Sequence, residues 1–181
     1  MTLLTVGHGA TDRAKLGALL TGAGVRLVVD VRRFPGSRNS PDVAQDELLR
    51  WLPECGVDYR WEQRLGGRRA LAQDGPALDP WWQVPAFRAY AAHTRTAEFS
   101  DALHQVLREA AARRVAVMCS ESVWWRCHRR LIADVAVIVE GVEGVEVEHL
   151  MPDGRLSPHR PAAGARVHAD GQLYWDGSDG P

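Results

Sequence analysis

The residues with the strongest chemical character are Cys119 and Cys127, His8 and His128, Glu121, and Arg32, Arg33 and Arg129. A thiolate is a nucleophile, imidazole and carboxylate move protons, and guanidinium grips phosphate or carboxylate with two parallel donors. Together these types would serve nucleophilic or redox chemistry on an anionic substrate. In the stretch Val115-Ala-Val-Met-Cys-Ser-Glu-Ser-Val-Trp-Trp-Arg-Cys-His-Arg-Arg130, Cys119 stands where an apolar run stops and a cation-rich segment begins. The apolar run predicts an interior strand, and the spacing of Leu131, Ile132, Val135 and Ile138 predicts a helix after it. Cys119 is therefore expected at the carboxyl end of a strand, where open α/β sheets bind their ligands.

Two more strand ends point the same way. Leu3-Leu-Thr-Val6 runs into Gly7-His8-Gly9, and Leu27-Val-Val-Asp-Val31 runs into Arg32-Arg33-Phe34-Pro35-Gly36-Ser37-Arg38. As parallel neighbours of the Cys119 strand they would bring His8, Arg32, Arg33, Cys119 and Glu121 to one rim. Between them Asp12 is placed to cap a helix with the stripe Leu16, Leu19 and Leu20, ending at Gly22 or Gly24, which makes a right-handed βαβ unit. Ser40 or Asp42 is expected to cap a second helix through Leu48, Leu49 and Trp51 that Pro53 ends or kinks, with a short strand over residues 56–61. A helical pattern from Phe87 to Leu107, broken near Thr94 to Thr96, fills the interval before the Cys119 strand.

Val145-Glu-Val-Glu-His-Leu150 alternates as a half-exposed edge strand, and Asp153-Gly154 and Asp170-Gly171 mark hairpin turns beyond it. The chain is thus expected to be a single α/β domain over residues 1–175, a mainly parallel twisted sheet with flanking helices and a C-terminal edge strand and hairpin extension. Residues 63–84 read as a loop insert serving as a lid or substrate contact, and residues 176–181 as a frayed tail.

With 181 residues, 45% of them hydrophobic, the chain can bury one sizeable core. A formal net charge of -1 gives no global attraction to nucleic acid or to an anionic membrane, so any polyanion would have to be held locally. No stretch approaches the roughly twenty apolar residues of a membrane helix, and three cysteines without scaffold spacing or a signal peptide read as a reduced, cytoplasmic protein. The oligomeric state is not legible.

Lys15 is the only lysine. Scattered arginines such as Arg108 and Arg113 read as ordinary surface, whereas Arg32, Arg33 and Arg38, with Arg126, Arg129 and Arg130, cluster where a pocket is expected. Cys55 and His93 read as structural. Cys127 faces either crevice or core, and Arg129 or Arg130 meets either an anion or an acidic partner such as Asp30 or Glu121. Trp51 and Trp61 read as core, but the pairs Trp81-Trp82 and Trp124-Trp125 fall in loops, where aromatic faces can stack on bases.

Gly7-His8-Gly9, Val29-Asp-Val-Arg-Arg-Phe-Pro-Gly-Ser37, Leu65-Gly-Gly67, Met118-Cys-Ser-Glu121 and Cys127-His-Arg129 occur in an order and spacing that resembles the domain-of-unknown-function family DUF488. The resemblance runs from about Thr2 to His149 and is most specific at the Cys-His-Arg element with its upstream Cys-x-Glu. It implies a fold and a set of marked positions, and no defined chemistry. One departure stands out, since the family usually has Gly-His-Ser where this chain has Gly7-His8-Gly9, which removes any hydroxyl role at position 9.

The resulting expectation is an enzyme whose pocket binds a phosphate-bearing substrate, a nucleotide or nucleic acid. Arg32, Arg33 and Arg129 hold the anion, with Ser37, Gly66, Gly67, Cys127 and His128 completing the binding set, while His8 and Glu121 exchange protons and Cys119 is a nucleophile or redox group. No cofactor is expected. The alternatives are a rhodanese-like sulfurtransferase, against which stands the glycine-free loop from Ser120 to Arg126, and a non-catalytic nucleic-acid or metal-binding module. The ligand types would suit zinc or iron, although no Cys-x-x-Cys or His-x-x-x-His pair is present.

Overall fold

The computed structural model describes residues 1–36, 40–70, 78–141 and 144–177. Strand β1 (Thr2–Gly7), helix α1 (Arg13–Gly22), β2 (Leu27–Asp30), α2 (Gln45–Trp51) and β3 (Asp58–Trp61) form the first half. Helices α3 (Pro85–Thr94) and α4 (Ala97–Ala112), β4 (Val115–Cys119), α5 (Arg129–Ile138), β5 (Glu146–Leu150) and the short β6 (Leu156–Pro158), β7 (Ala165–Val167) and β8 (Leu173–Trp175) follow. Six strands make one sheet in the order β3-β2-β4-β1-β5-β6, parallel except for β6, and β7 with β8 forms a separate antiparallel hairpin. This is the expected α/β domain with a mainly parallel sheet and a C-terminal extension.

Side-chain alternation along the strands sorts the core into two layers. Leu3, Leu27, Val29, Val115, Val117 and Cys119 pack with residues of α3, α4 and α5, whereas Leu4, Val6, Val28, Ala116 and Met118 pack with α1 and α2. Parity alone therefore turns Cys119 toward the layer in which α5 begins. Because β4 lies between β1 and β2, and its following helix sits on the opposite face from theirs, the chain parts above its carboxyl end and leaves a crevice there.

Local signals act much as expected at most helix ends. The Asp12 carboxylate accepts from the Lys15 amide at 2.8 Å to start α1, and Thr96 Oγ1 accepts from the Phe99 amide at 3.2 Å where α3 gives way to α4. The second helix differs. Pro41–Val43 form a 3-10 turn of their own, so Ser40 and Asp42 lie a turn too early to cap α2, which starts at Gln45 without a side-chain cap. On the far side of the sheet, β5 pairs with both β1 and β6, so the edge is β6 and the polar alternation of β5 reflects one open face.

Trp81 and Trp82 correct the expectation of base-stacking aromatics, because both are buried. The β8 end closes over them: the Trp81 amide donates to the Trp175 carbonyl at 3.1 Å, and the Trp82 and Trp175 rings lie 6.0 Å apart. Arg130 stacks on both indoles, 5.1 and 4.9 Å from their centroids, which gives this arginine a packing role. Trp124 lies flat on His149 at 4.1 Å, and Trp125 remains exposed. Of the expected lid, residues 71–77 lie outside the described residues, as do 178–181 of the expected tail. Among the described residues, no helix is long and apolar enough to cross a membrane.

Candidate functional site

A cavity of about 460 Å³ opens at the carboxyl ends of β1, β2 and β4. It is lined by His8 from the end of β1, Arg32, Arg33, Phe34 and Gly36 from the end of β2, and Cys119, Ser120 and Glu121 from the end of β4. Arg126, Cys127 and His128 come from the approach to α5, Gly67 and Arg68 from the segment after β3, and Ala86, Phe87 and Tyr90 from α3. Three chain-distant strand ends thus converge as their sequences foretold.

The floor is built of two sulfurs and an imidazole. His128 Nδ1 lies 3.9 Å from Cys119 Sγ and 3.6 Å from Cys127 Sγ, and its Nε2 lies 3.2 Å from the Val31 carbonyl. A carbonyl only accepts, so Nε2 carries a proton and Nδ1 is the ring atom turned to the sulfurs. The Tyr90 ring packs 4.9 Å from this imidazole, and a Cβ at Gly67 would lie only 2.8 Å from Nδ1. Gly67→Ala should therefore push His128 off the sulfurs and destabilise the fold by about 1–3 kcal/mol, read by thermal unfolding. Gly36→Ala, which meets nothing within 4 Å among the described residues, should be neutral by comparison.

Arg129 determines the charge of the floor. It is 1% exposed, and its guanidinium donates to the Glu121 carbonyl, to Thr5 Oγ1 at 3.4 Å and, through Nε, to Cys127 Sγ at 3.5 Å. Cys127 is the one ionisable group among these partners, and a buried cation without a counter-charge is strongly disfavoured. Burial alone would push the Cys127 thiol up, but the Cys119 thiol and the charge and N–H groups of Arg129 outweigh it and pull it down to about 6. Cys119, hydrogen-bonded to that neighbour and equally buried, is pushed up to about 12. One thiolate and one thiol share the floor.

Arg129 is itself held by a chain of buried hydrogen bonds. Thr5 Oγ1, having accepted from Arg129, lies 2.7 Å from His149 Nδ1; His149 Nε2 lies 3.0 Å from His159 Nδ1; and His159 Nε2 donates to Asp134 Oδ1 at 2.7 Å. Guanidinium can only donate and a carboxylate only accepts, so the two ends of the chain are fixed and the hydroxyl and the two imidazoles between them relay one to the other. Asp134 also accepts from Trp175 Nε1 at 2.8 Å and from the Ala162 amide at 3.2 Å, which ties the C-terminal extension to the site.

On the opposite wall, the Asp30 carboxylate takes the Arg32 backbone amide at 3.0 Å, Arg32 Nε at 2.9 and 3.0 Å, Arg32 NH2 at 2.5 Å and the Tyr59 hydroxyl at 2.8 Å. The remaining arm of Arg32 donates to His8 Nε2 at 3.3 Å, while His8 Nδ1 donates to the Gly9 carbonyl at 2.9 Å. Burial, then the nearby Arg32 charge, lowers the His8 pKa, so the ring is neutral and its lone pair already taken. The turn that presents it is tight: the His8 and Gly9 amides continue the β4 ladder onto the carbonyls of Cys119 and Ser120, Gly9 has φ +53°, and a Cβ there would overlap Ser122 Oγ. A hydroxyl from Ser122 thus occupies the space that a serine side chain at position 9 would need.

The sequence profile of the family described as "Domain of unknown function DUF488" matches residues 13–136, more than half of the chain. The chain belongs to the DUF488 family. No curated protein and no solved structure matches it. The DUF488 match takes in Arg32, Arg33, Gly67, Cys119, Glu121, Cys127 and His128, but stops short of His8, which β1 contributes, and of the His149–His159 pair.

Of the residues expected in this DUF488 site, His8, Arg32, Arg33, Gly67, Cys119, Glu121, Cys127 and His128 line the cavity. Gly66 sits behind the lining, with a Cβ there 3.0 Å from the Arg33 backbone. Arg129 does not reach the cavity; it lies beneath it, gripping Cys127. Arg32 lines the wall but spends its charge on Asp30. Ser37 lies outside the described residues. Sequence reasoning missed Tyr90 and Arg68, which are delivered by packing and by a loop. Arg68 has φ 56°, a left-handed conformation unusual for arginine, directly after Gly66-Gly67.

Proposed function

We propose that this DUF488 protein is an enzyme whose cavity takes a phosphate-bearing substrate, a nucleotide or a piece of nucleic acid among them, and that Cys127 supplies the attacking thiolate. The observation that carries the reading is the Arg129–Cys127 pair: a buried guanidinium whose counter-ion is a cysteine at the floor of an open cavity. A thiolate held this way is nucleophilic at neutral pH without a proton first being removed.

The mouth supports an anionic ligand. Arg33, Arg68 and Arg126 line it, and none of them is in an ion pair with a carboxylate among the described residues. Guanidinium forks free of carboxylates suit phosphate oxygens, and the strained backbone at Arg68 is what a binding role would justify. His8, held neutral by Arg32, serves as a wall that can hydrogen-bond a ligand rather than as a base. Glu121, exposed on the rim, is the remaining group able to carry a proton in and out.

The test is a thermal-shift panel of inorganic phosphate, nucleoside monophosphates and short oligonucleotides, run with and without added salt. At least one phosphate compound should raise Tm, the rise should shrink with salt, and Arg68→Ala with Arg126→Ala should remove it. Cys127→Ser should keep the shift but lose turnover and, in peptide maps, the iodoacetamide label at position 127, while the exposed Cys55 still reacts. A panel with no shift in the wild-type protein, or a shift indifferent to both arginines, overturns the anion reading. A persulfide on Cys127 after thiosulfate treatment, seen by intact mass, would instead select sulfur transfer.

A further inference from the structure

Cys119 Sγ, Cys127 Sγ and His128 Nδ1 all lie within 4.8 Å of one another, on a floor that faces the cavity. Zinc bonds of about 2.3 Å to sulfur and about 2.0–2.1 Å to nitrogen, at tetrahedral angles, set a sulfur-to-nitrogen edge of about 3.6 Å. The two edges here measure 3.6 and 3.9 Å. Two edges thus match one face of a tetrahedral site, and the third, sulfur to sulfur, lies within 4.8 Å against the roughly 3.8 Å that zinc would set.

Orientation agrees with size. A zinc-binding histidine commonly donates its other N–H to a carbonyl, which fixes the ring and aims the lone pair at the metal, and His128 makes that bond to Val31. Two thiolates and an imidazole select zinc or another soft divalent ion over magnesium or calcium. Arg129 Nε, donating to Cys127 Sγ, supplies the N–H···S contact that stabilises a ligating sulfur. The fourth vertex would point into the cavity, below the mouth arginines, as in sites that keep one position open.

We propose that Cys119, Cys127 and His128 form a three-ligand zinc site whose fourth position is open to the cavity. This goes beyond the thiolate reading and does not rest on it. A sulfur bound to zinc is not free to attack, so the metal-loaded and free-thiolate states exclude one another, and zinc should protect Cys127 from alkylation.

The experiment uses the reduced, full-length protein, stripped with chelator and titrated with zinc and, separately, with cobalt(II). One equivalent of zinc should bind, cobalt should give the sulfur-to-metal charge-transfer and intense visible bands of a tetrahedral thiolate site, and zinc should bleach them. Cys119→Ser, Cys127→Ser and His128→Ala should each weaken zinc by about 100-fold or more, and Cys55→Ser, at an exposed cysteine, should not. Peptide mapping of the wild-type protein with iodoacetamide provides a variant-free arm: zinc should shield Cys127, the thiolate of the pair, and leave Cys55 labelled. Absence of binding, a cobalt spectrum without sulfur bands, or zinc that leaves Cys127 open to alkylation overturns the proposal. None of these results bears on the phosphate thermal shift, so the two readings fail separately.

Discussion

Replacing Arg129 by glutamine in metal-free protein should slow the reaction of iodoacetamide with Cys127 at pH 7 by roughly thirtyfold. The argument is one of charge. With its guanidinium partner, Cys127 is pulled down to about 6, so most of it is thiolate at neutral pH. Without that partner the thiol returns at least to its ordinary value of about 8.5, where about 3% is ionised at pH 7, and burial pushes it further in the same direction. A pH profile of the alkylation rate checks this: the wild-type midpoint should fall near 6 and the variant midpoint should move up by two units or more. A midpoint that stays put would mean that Arg129 does not set the charge of the floor. The variant also leaves Thr5 and the Glu121 carbonyl without their donor, so Tm should drop, and Arg129→Lys should restore part of both effects.

Acid should unfold the protein through the buried histidine chain. Burial, then the proximity of His159 and Arg129, holds His149 down at about 3, although an unfolded histidine titrates near 6.5. Between those values the unfolded chain binds a proton that the folded one refuses, so stability is full above about 6.5 and falls steadily as pH drops toward 3. Over the whole window the loss amounts to about 4–5 kcal/mol, comparable with the entire stability of many domains. His8 and His93, also lowered chiefly by burial, act in the same direction. Urea unfolding at a series of pH values measures the slope, and a stability that holds flat from pH 6.5 to 4 would contradict it. At pH 7, Asp134→Ala should cost about 3–5 kcal/mol, because it leaves His159 Nε2, Trp175 Nε1 and the Ala162 amide buried without an acceptor.

The strand ends were readable because β-branched runs stop abruptly at glycine, arginine or cysteine, and parallel pairing follows once helices separate the strands. That logic places His8, Arg32 and Cys119 at one rim. It could not say which way Arg129 points. On a helix start, successive residues diverge, and only the seating of α5 against β1 decides that Arg129 turns down to Thr5 while Cys127 and His128 turn up to the cavity. The same gap hid the difference between the two cysteines, since the cation that distinguishes them acts through space. The Thr5–His149–His159–Asp134 chain has no local signature at all: its members sit on β1, β5, the connection after β6 and α5, and meet because the C-terminal extension folds back. That extension also buried Trp81 and Trp82, which in sequence looked like free loop aromatics.

The central place of β1 bears on how the molecule is made. This strand is synthesised before either of its neighbours, β4 and β5, with Leu4 facing Ala116 on one side and Glu148 on the other. Until β4 emerges from the ribosome an apolar segment waits with both edges unpaired, and until β5 follows it keeps one open, a state prone to aggregation and suited to chaperone capture. Pairings this remote in the chain also make the search for the native topology slow. Yield in a cell should therefore depend more on the traffic of nascent chains than on the stability of the finished fold.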